Sequence, residues 1–242
     1  MNFEEADSRV KEILSWTPQQ IFDKFSDLEV IRDSAQLREL VVCSSMARFN
    51  RKQSADLGPV LLTLAMQFRD SKDPMDHAVI WEAICTGSSM ISLYALPSLE
   101  VLLETGHQAD TRLDSLKMIG RIFESYPPKD LNFHVGLAGK IKDIVLSEHF
   151  ENDVITRKSA IATTGIYALM AMGSIECGKA IDAIHDQKIR WMLRTVRHDI
   201  EDLKERWQNN AHHKVEVSVE HQQMIDSMIK KLDRMIEEEF SE

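Results

Sequence analysis

Apolar residues recur at spacings of three and four along nearly the whole chain, and no stretch alternates as a strand would. Val10, Ile13 and Leu14 predict a first helix that ends before Thr17-Pro18. Pro18 to Phe25 predicts a short second one, with Thr17 as its cap and Pro18 at the favoured first helical position. A longer pattern through Ile31, Ala35, Leu37, Leu40, Val41 and Met46 covers Leu28 to Phe49. Six further helices follow. Asp56-Leu-Gly-Pro59 opens one through Leu62, Leu64 and Phe68, and the break at Lys72-Asp73-Pro74 leads into another through Val79, Ala83 and Ile84. Pro97 opens a third that Gly106 stops, and Asp110 starts a fourth that Tyr126-Pro127-Pro128 stops. The fifth covers about 132–150, and the sixth runs from Asp153 to Met172 before Gly173-Ser174.

From Lys188 the pattern narrows. Ile189, Leu193, Val196, Ile200, Leu203 and Trp207 are spaced 4, 3, 4, 3, 4, the seam of a helix packed along one partner helix. A polar stretch from Gln208 to Val217 interrupts it, and Ser218 starts a last helix with a seam at Ile225, Ile229, Leu232 and Ile236, widened by Met224, Met228 and Met235. The two seams can close on each other as an antiparallel hairpin, or the same surfaces can join two chains as a homodimer. The short connection favours the hairpin by raising the effective concentration of the internal partner.

The openings of these helices repeat loosely. Gly58-Pro59-Val-Leu-Leu62 matches Leu96-Pro97-Ser-Leu99-Glu-Val-Leu102-Leu103, and Arg32-Asp-Ser-Ala35, Arg112-Leu-Asp-Ser115 and Arg157-Lys-Ser-Ala160 each place a small residue three after an arginine. His77 takes the arginine's place in Asp76-His-Ala-Val79. The units recur at roughly 35 to 45 residues, within the range of helix-pair repeats. At these residues, over about 29–187, the chain resembles the HEAT-repeat and armadillo-like family. The heptad seams add a C-terminal antiparallel helical hairpin over residues 188–242, and the resemblance implies an all-α fold, an α-solenoid of HEAT-like helix pairs over residues 1–187. It also implies a concave face lined by the second helices, suited to extended protein segments.

Composition narrows the class. The 242 residues carry 29 Lys and Arg against 39 Asp and Glu, a formal charge of −10, with 9 glycines and 6 prolines. The acidic start lacks the pattern of a signal peptide, and the apolar run from Ile161 to Gly173 falls short of the roughly 20 residues that cross a bilayer. Cys43, Cys85 and Cys177 are odd in number and far apart, as buried thiols of a reducing compartment would be. The expectation is a cytoplasmic protein that does not engage membranes.

Little in the sequence points to catalysis. Neither GxGxxG nor GxxxxGK[ST] nor GxSxG occurs. Gly87-Ser88-Ser89 and Gly173-Ser174 have the composition of turns, and His212-His213 that of a solvated loop. Asp182-Ala-Ile-His185 supplies a single helical turn of metal-ligand type, too few ligands for a site. The expectation is therefore no enzyme, no metal and no cofactor. The strongest charged feature is Lys188 to His198, which holds four fixed positive charges and no acid in eleven residues, with Arg190, Arg194 and Arg197 on one stripe beside Trp191. Such a stripe suits an acidic protein surface or a phosphate backbone, and the net negative charge favours protein. The leading reading is a non-catalytic adaptor that binds proteins of unknown identity. Its candidate contacts are Arg112, Arg157, Arg32 and His77 at the helix openings, and Arg190, Arg194 and Arg197 on the stripe. The alternative is a HEAT-like nucleic-acid-processing protein similar to the alkyl-purine DNA glycosylases.

Overall fold

In a computed structural model the chain forms two compact units, Met1–Thr111 and Arg112–Glu242. The structure describes residues 12, 16–26, 41, 43–45, 47–71, 73–105, 109–148, 156–209 and 215–238. Among them every regular element is helical and no strand occurs. The expected first helix and most of the 28–49 pattern lie outside the described residues. The expected division at residues 187 and 188 falls inside the second unit.

In the first unit, α1 (Pro18–Ser26) opens as its sequence predicts. The Gln20 amide donates to Thr17 Oγ1 at 3.3 Å, and the Thr17 amide donates back to Gln20 Oε1 at 2.8 Å. Helix α2 (Arg51–Phe68) differs from expectation, because it begins five residues before Asp56 and carries Pro59 inside it. Its start is fixed by a capping box. The Gln53 amide donates to Asn50 Oδ1 at 2.9 Å and the Asn50 amide donates to Gln53 Oε1 at 3.1 Å. Proline is favoured at a helix start but costs one ladder bond in an interior; here the capped start and the burial of Leu57, Leu61, Leu62, Leu64 and Ala65 around it hold the helix through Pro59. Helix α3 (Pro74–Ile91) leads through a 3-10 turn, Ser92–Ala95, into α4 (Leu96–Thr105).

Helices α2 and α3 pack along each other, and two glycines set how closely they approach. A Cβ added at Gly87 would stand 2.9 Å from the Gly58 carbonyl oxygen and 3.1 Å from Leu61 Cβ. Among the described residues, the run long and apolar enough to be compared with a membrane span is here, from Asp76 to Glu104, rather than at Ile161–Gly173. It is long and apolar enough to cross a membrane by length and composition alone, and half of its most apolar window is buried inside the protein. Val79, Ile80, Ala83 and Ile84 are all at most 2% exposed.

The second unit holds α5 (Ala109–Ser125, which begins at the boundary), α6 (Val135–Ser147), α7 (Arg157–Ala171), α8 (Glu176–Asp186), α9 (Arg190–Asn209) and α10 (Val219–Glu238). The repeat pattern did not separate α8, whose residues 182–185 read only as an isolated turn. Helix α7 is the centre. Ten of its fifteen residues are buried, and α6, α8 and α9 all pack on it. Small residues make this possible. A Cβ at Gly165 would meet Val145 of α6 at 2.7 Å, and one at Gly120 of α5 would meet the Tyr167 ring at 2.8 Å.

The C-terminal seams close on each other within the chain. Arg190 Nη2 donates to the Ile236 carbonyl at 3.3 Å, Arg197 Nε donates to Asp233, and Lys204 Nζ donates to Asp226 at 2.7 Å. Partner numbers fall along α10 as they rise along α9, so the pair is antiparallel. Ile189, Leu193, Val196, Ile200 and Leu203 are at most 1% exposed, as are Ile225 and Leu232 across from them.

Two glycine substitutions of opposite sign test this packing. Gly87→Ala forces α2 and α3 apart and is expected to cost about 1–3 kcal/mol. Gly139→Ala in α6, where nothing lies within 4 Å of the added carbon, is expected to gain about 0.5–1 kcal/mol from helix propensity. Urea unfolding of each variant measures both.

Candidate functional site

The arginines expected to meet a partner are not a free stripe. Arg190 closes the last turn of α10 through the Ile236 carbonyl, where a cation is favoured by the helix dipole. Arg197 bridges Asp233 and its own helix's Glu201, the latter at 2.7 Å. Positions beside a two-helix seam face the partner helix, which is why these side chains turn toward α10. Arg194 is exposed. Arg112 is half-buried in the first turn of α5, and Arg157 is exposed at the first residue of α7. Arg32 lies outside the described residues. His77, in the first unit, joins two segments: its Nε2 is 2.9 Å from the Ser71 carbonyl and its Nδ1 is 3.2 Å from Asp110.

Three turns of the second unit come together instead at a corner that the sequence reading did not single out. Helix α7 ends in a Schellman motif, with Gly173 left-handed at φ 65°. The Gly173 amide donates to the Met170 carbonyl at 3.0 Å, and the Ser174 amide donates to the Leu169 carbonyl at 3.0 Å. The turn before α6 docks onto this end. Asn132, itself left-handed at φ 59°, donates its amide to the Gly173 carbonyl at 3.0 Å, and its Oδ1 accepts the Ile175 amide at 2.9 Å. Asparagine tolerates that conformation better than most residues.

The start of α10 forms the third side. The His221 amide donates to Ser218 Oγ at 3.2 Å, and its ring is wholly buried. His221 Nε2 lies 2.7 Å from the Met170 carbonyl, so that nitrogen carries the proton, and Nδ1 is buried without a hydrogen-bond partner. The Trp207 ring stands edge-on to it at 5.0 Å. A side chain at Gly173 would press on His221 Cε1 at 3.2 Å. Burial pushes the His221 pKa down, and the Met170 carbonyl opposes that shift.

Behind the corner, Glu124 joins α5, α7 and α9. Its carbonyl accepts Trp207 Nε1–H at 2.7 Å, its Oε2 accepts the Tyr167 hydroxyl at 2.7 Å, and Arg206 Nη1 donates to both carboxylate oxygens at 3.2 and 3.3 Å. Burial first, and the Glu124 carboxylate second, hold the Tyr167 pKa above its ordinary value, so the phenol stays a donor. Every polar group of Glu124 named here is matched, which makes it an anchor that fixes geometry rather than a reactive group.

This framework carries large apolar side chains outward. Phe133 is 69% exposed, Val135 66%, Ile175 59% and Val219 64%. Phe133, Ile175 and Val219 sit within two residues of a bond that holds the corner together, and Val135 is three residues from Asn132. The signal available in sequence was the positive-φ residue types, Asn132 and Gly173, next to apolar residues in turns. Helical periodicity does not register such a feature. The three cysteines offer no nucleophile at this corner, and burial pushes the Cys177 thiol up to about 12. Among the described residues no group of three or more metal-ligating side chains is gathered.

The chain matches no protein-family model, no curated protein and no solved structure.

Two measurements test these assignments. The first concerns His221. Above about pH 6.5 its ring is neutral in both the folded and unfolded states; as pH falls below that value the unfolded ring takes up a proton while the buried one resists. Stability is therefore expected to fall from pH 6.5 downward, and less so in His221→Gln. His134, also shifted down by burial, adds to the fall in both proteins, so the difference between them isolates His221. The second concerns Arg197→Gln, expected to cost about 0.5 kcal/mol at low salt and less at about 1 M salt, as a half-exposed ion pair should.

Proposed function

We propose that the protein is a non-catalytic scaffold of stacked, HEAT-like helix pairs that binds a protein partner at the corner formed by Asn132, Gly173 and His221. The observation that carries this reading is the outward display of Phe133, Val135, Ile175 and Val219 from backbone fixed by hydrogen bonds. Exposed apolar side chains that share a rigid support are the usual mark of a protein-binding surface, because they desolvate on contact without an ordering cost. The HEAT-like reading is supported by the capped openings at Asn50 and Thr156, and by the burial of Ser159 just after Arg157-Lys158. The enclosure of α7 shifts the proposed contact from a concave face of second helices to this end of the second unit.

The engagement of Arg190 and Arg197 within the hairpin favours protein over nucleic acid, since two guanidiniums of the basic stripe already have acceptors. The test is a doubly substituted protein, Phe133→Asp with Ile175→Asp. Both side chains are exposed, so thermal unfolding should change little. Any partner recovered with the unaltered protein should bind the variant about tenfold more weakly or worse, as expected for loss of apolar anchors. Undiminished binding by a folded variant would remove the corner from the account. Duplex DNA titrated across a salt series distinguishes the other reading: binding that falls steeply with salt would support nucleic acid, and no binding at low salt would exclude it.

A further inference from the structure

Helix α3 is apolar for most of its length, yet Glu82, Cys85, Thr86 and Ser89 fall at offsets of three, one and three, on a single face. That face forms one wall of a cleft of about 600 Å³ in the first unit, and Ser44, Ser45, Ala47, Arg48, Phe49 and Ser54 line the opposite wall. The opposite wall is held rigid by the capping box of Asn50 and Gln53, and the Gln53 amide nitrogen donates to Gln19 Oε1 of α1 at 3.2 Å. The volume lies within the roughly 300–1,000 Å³ of ordinary small-molecule sites.

Two opposite charges line this cleft, Arg48 on the one wall and Glu82 on the other, and neither has an ion-pair partner among the described residues. They are not paired with each other either, so the cleft presents a separated cation and anion across a gap. Ser44, Ser45, Ser54, Thr86 and Ser89 also line the cleft, and Phe49 and Met90 add apolar surface. A ligand carrying only one charge would satisfy one wall. A zwitterion satisfies both, and an apolar side chain on it would meet Phe49 and Met90.

We propose that this cleft binds a small zwitterion with an apolar side chain, an amino acid or a short peptide, placing its ammonium on Glu82 and its carboxylate on Arg48. The site is separate from the corner in the second unit and does not depend on it. Cys85 lines the same cleft and is half-buried, whereas Cys43 and Cys177 are buried, so alkylation of the folded protein reports on occupancy.

Calorimetric titration of the whole protein with L-leucine, glycyl-L-leucine, isovalerate and isopentylamine tests the proposal. One of the two zwitterions is expected to bind at least about tenfold more tightly than either singly charged analogue, as two charge-assisted contacts should against one. A preference for the amino acid or for the dipeptide identifies the span between the charges. Glu82→Gln should abolish the advantage over isovalerate, and Arg48→Gln the advantage over isopentylamine. The same zwitterion should slow iodoacetamide labelling of Cys85 in the unaltered protein, a readout that does not rely on any variant folding. Equal binding of all four compounds, or neither heat nor protection of Cys85 at about 10 mM zwitterion, would overturn the proposal.

Discussion

The second unit depends on the burial of α7. A helix enclosed on several sides must end without leaving its last carbonyls unpaired, because an unmatched buried acceptor costs about 1–3 kcal/mol. The left-handed Gly173 turns its own amide onto Met170 and the Ser174 amide onto Leu169, and His221 adds a ring donor to the Met170 carbonyl from a helix more than forty residues further on. The C-terminal hairpin is thus joined to the centre of the unit at the point where α7 stops. Asn132 does the same for the turn ahead of α6. One requirement, satisfying the end of a buried helix, brings three distant turns together, and their exposed apolar residues follow from where those turns are held.

Charge plays a different part from the one its distribution along the chain suggests. The net −10 hides local neutralisation within the second unit. Asp226 and Asp233 of α10 accept Lys204 and Arg197 of α9, and Lys231 of α10 reaches Asp182 of α8 at 2.6 Å and the Gly178 carbonyl at 3.2 Å. These contacts are at least partly exposed and individually weak. Their use is in setting the register of helices whose apolar seams would tolerate sliding by a heptad.

Much of the architecture was legible because periodicity reports burial directly. The seam from Ile189 to Leu203 is buried where the spacing placed it, as are Ile225 and Leu232 of its counterpart on α10, whereas Ile229 and Ile236 are only half-buried; Thr17, Pro74 and Gly173 mark helix ends as their chemistry requires. The start of α2 was missed because Pro59 is a strong boundary signal, and the capping pair at Asn50 and Gln53 is a quieter one. Helix α8 was missed because its buried residues include Cys177, Gly178 and Ala180, which carry little hydrophobic signal. The candidate contacts were the least legible. An arginine beside a seam looks the same in sequence whether it faces solvent or caps a neighbouring helix, and only the position of α10 decides that for Arg190 and Arg197. The corner itself depends on residues about forty positions apart, beyond the reach of any local pattern.

Nitrogen-15 NMR of the histidine rings tests the central claim most directly. If His221 joins α10 to the end of α7, its ring should be the Nε2–H tautomer, with an Nε2 proton slow to exchange with water and a nuclear Overhauser contact to the Trp207 ring. A His221 ring that titrates like an exposed histidine, or that exchanges its proton rapidly, would contradict the account.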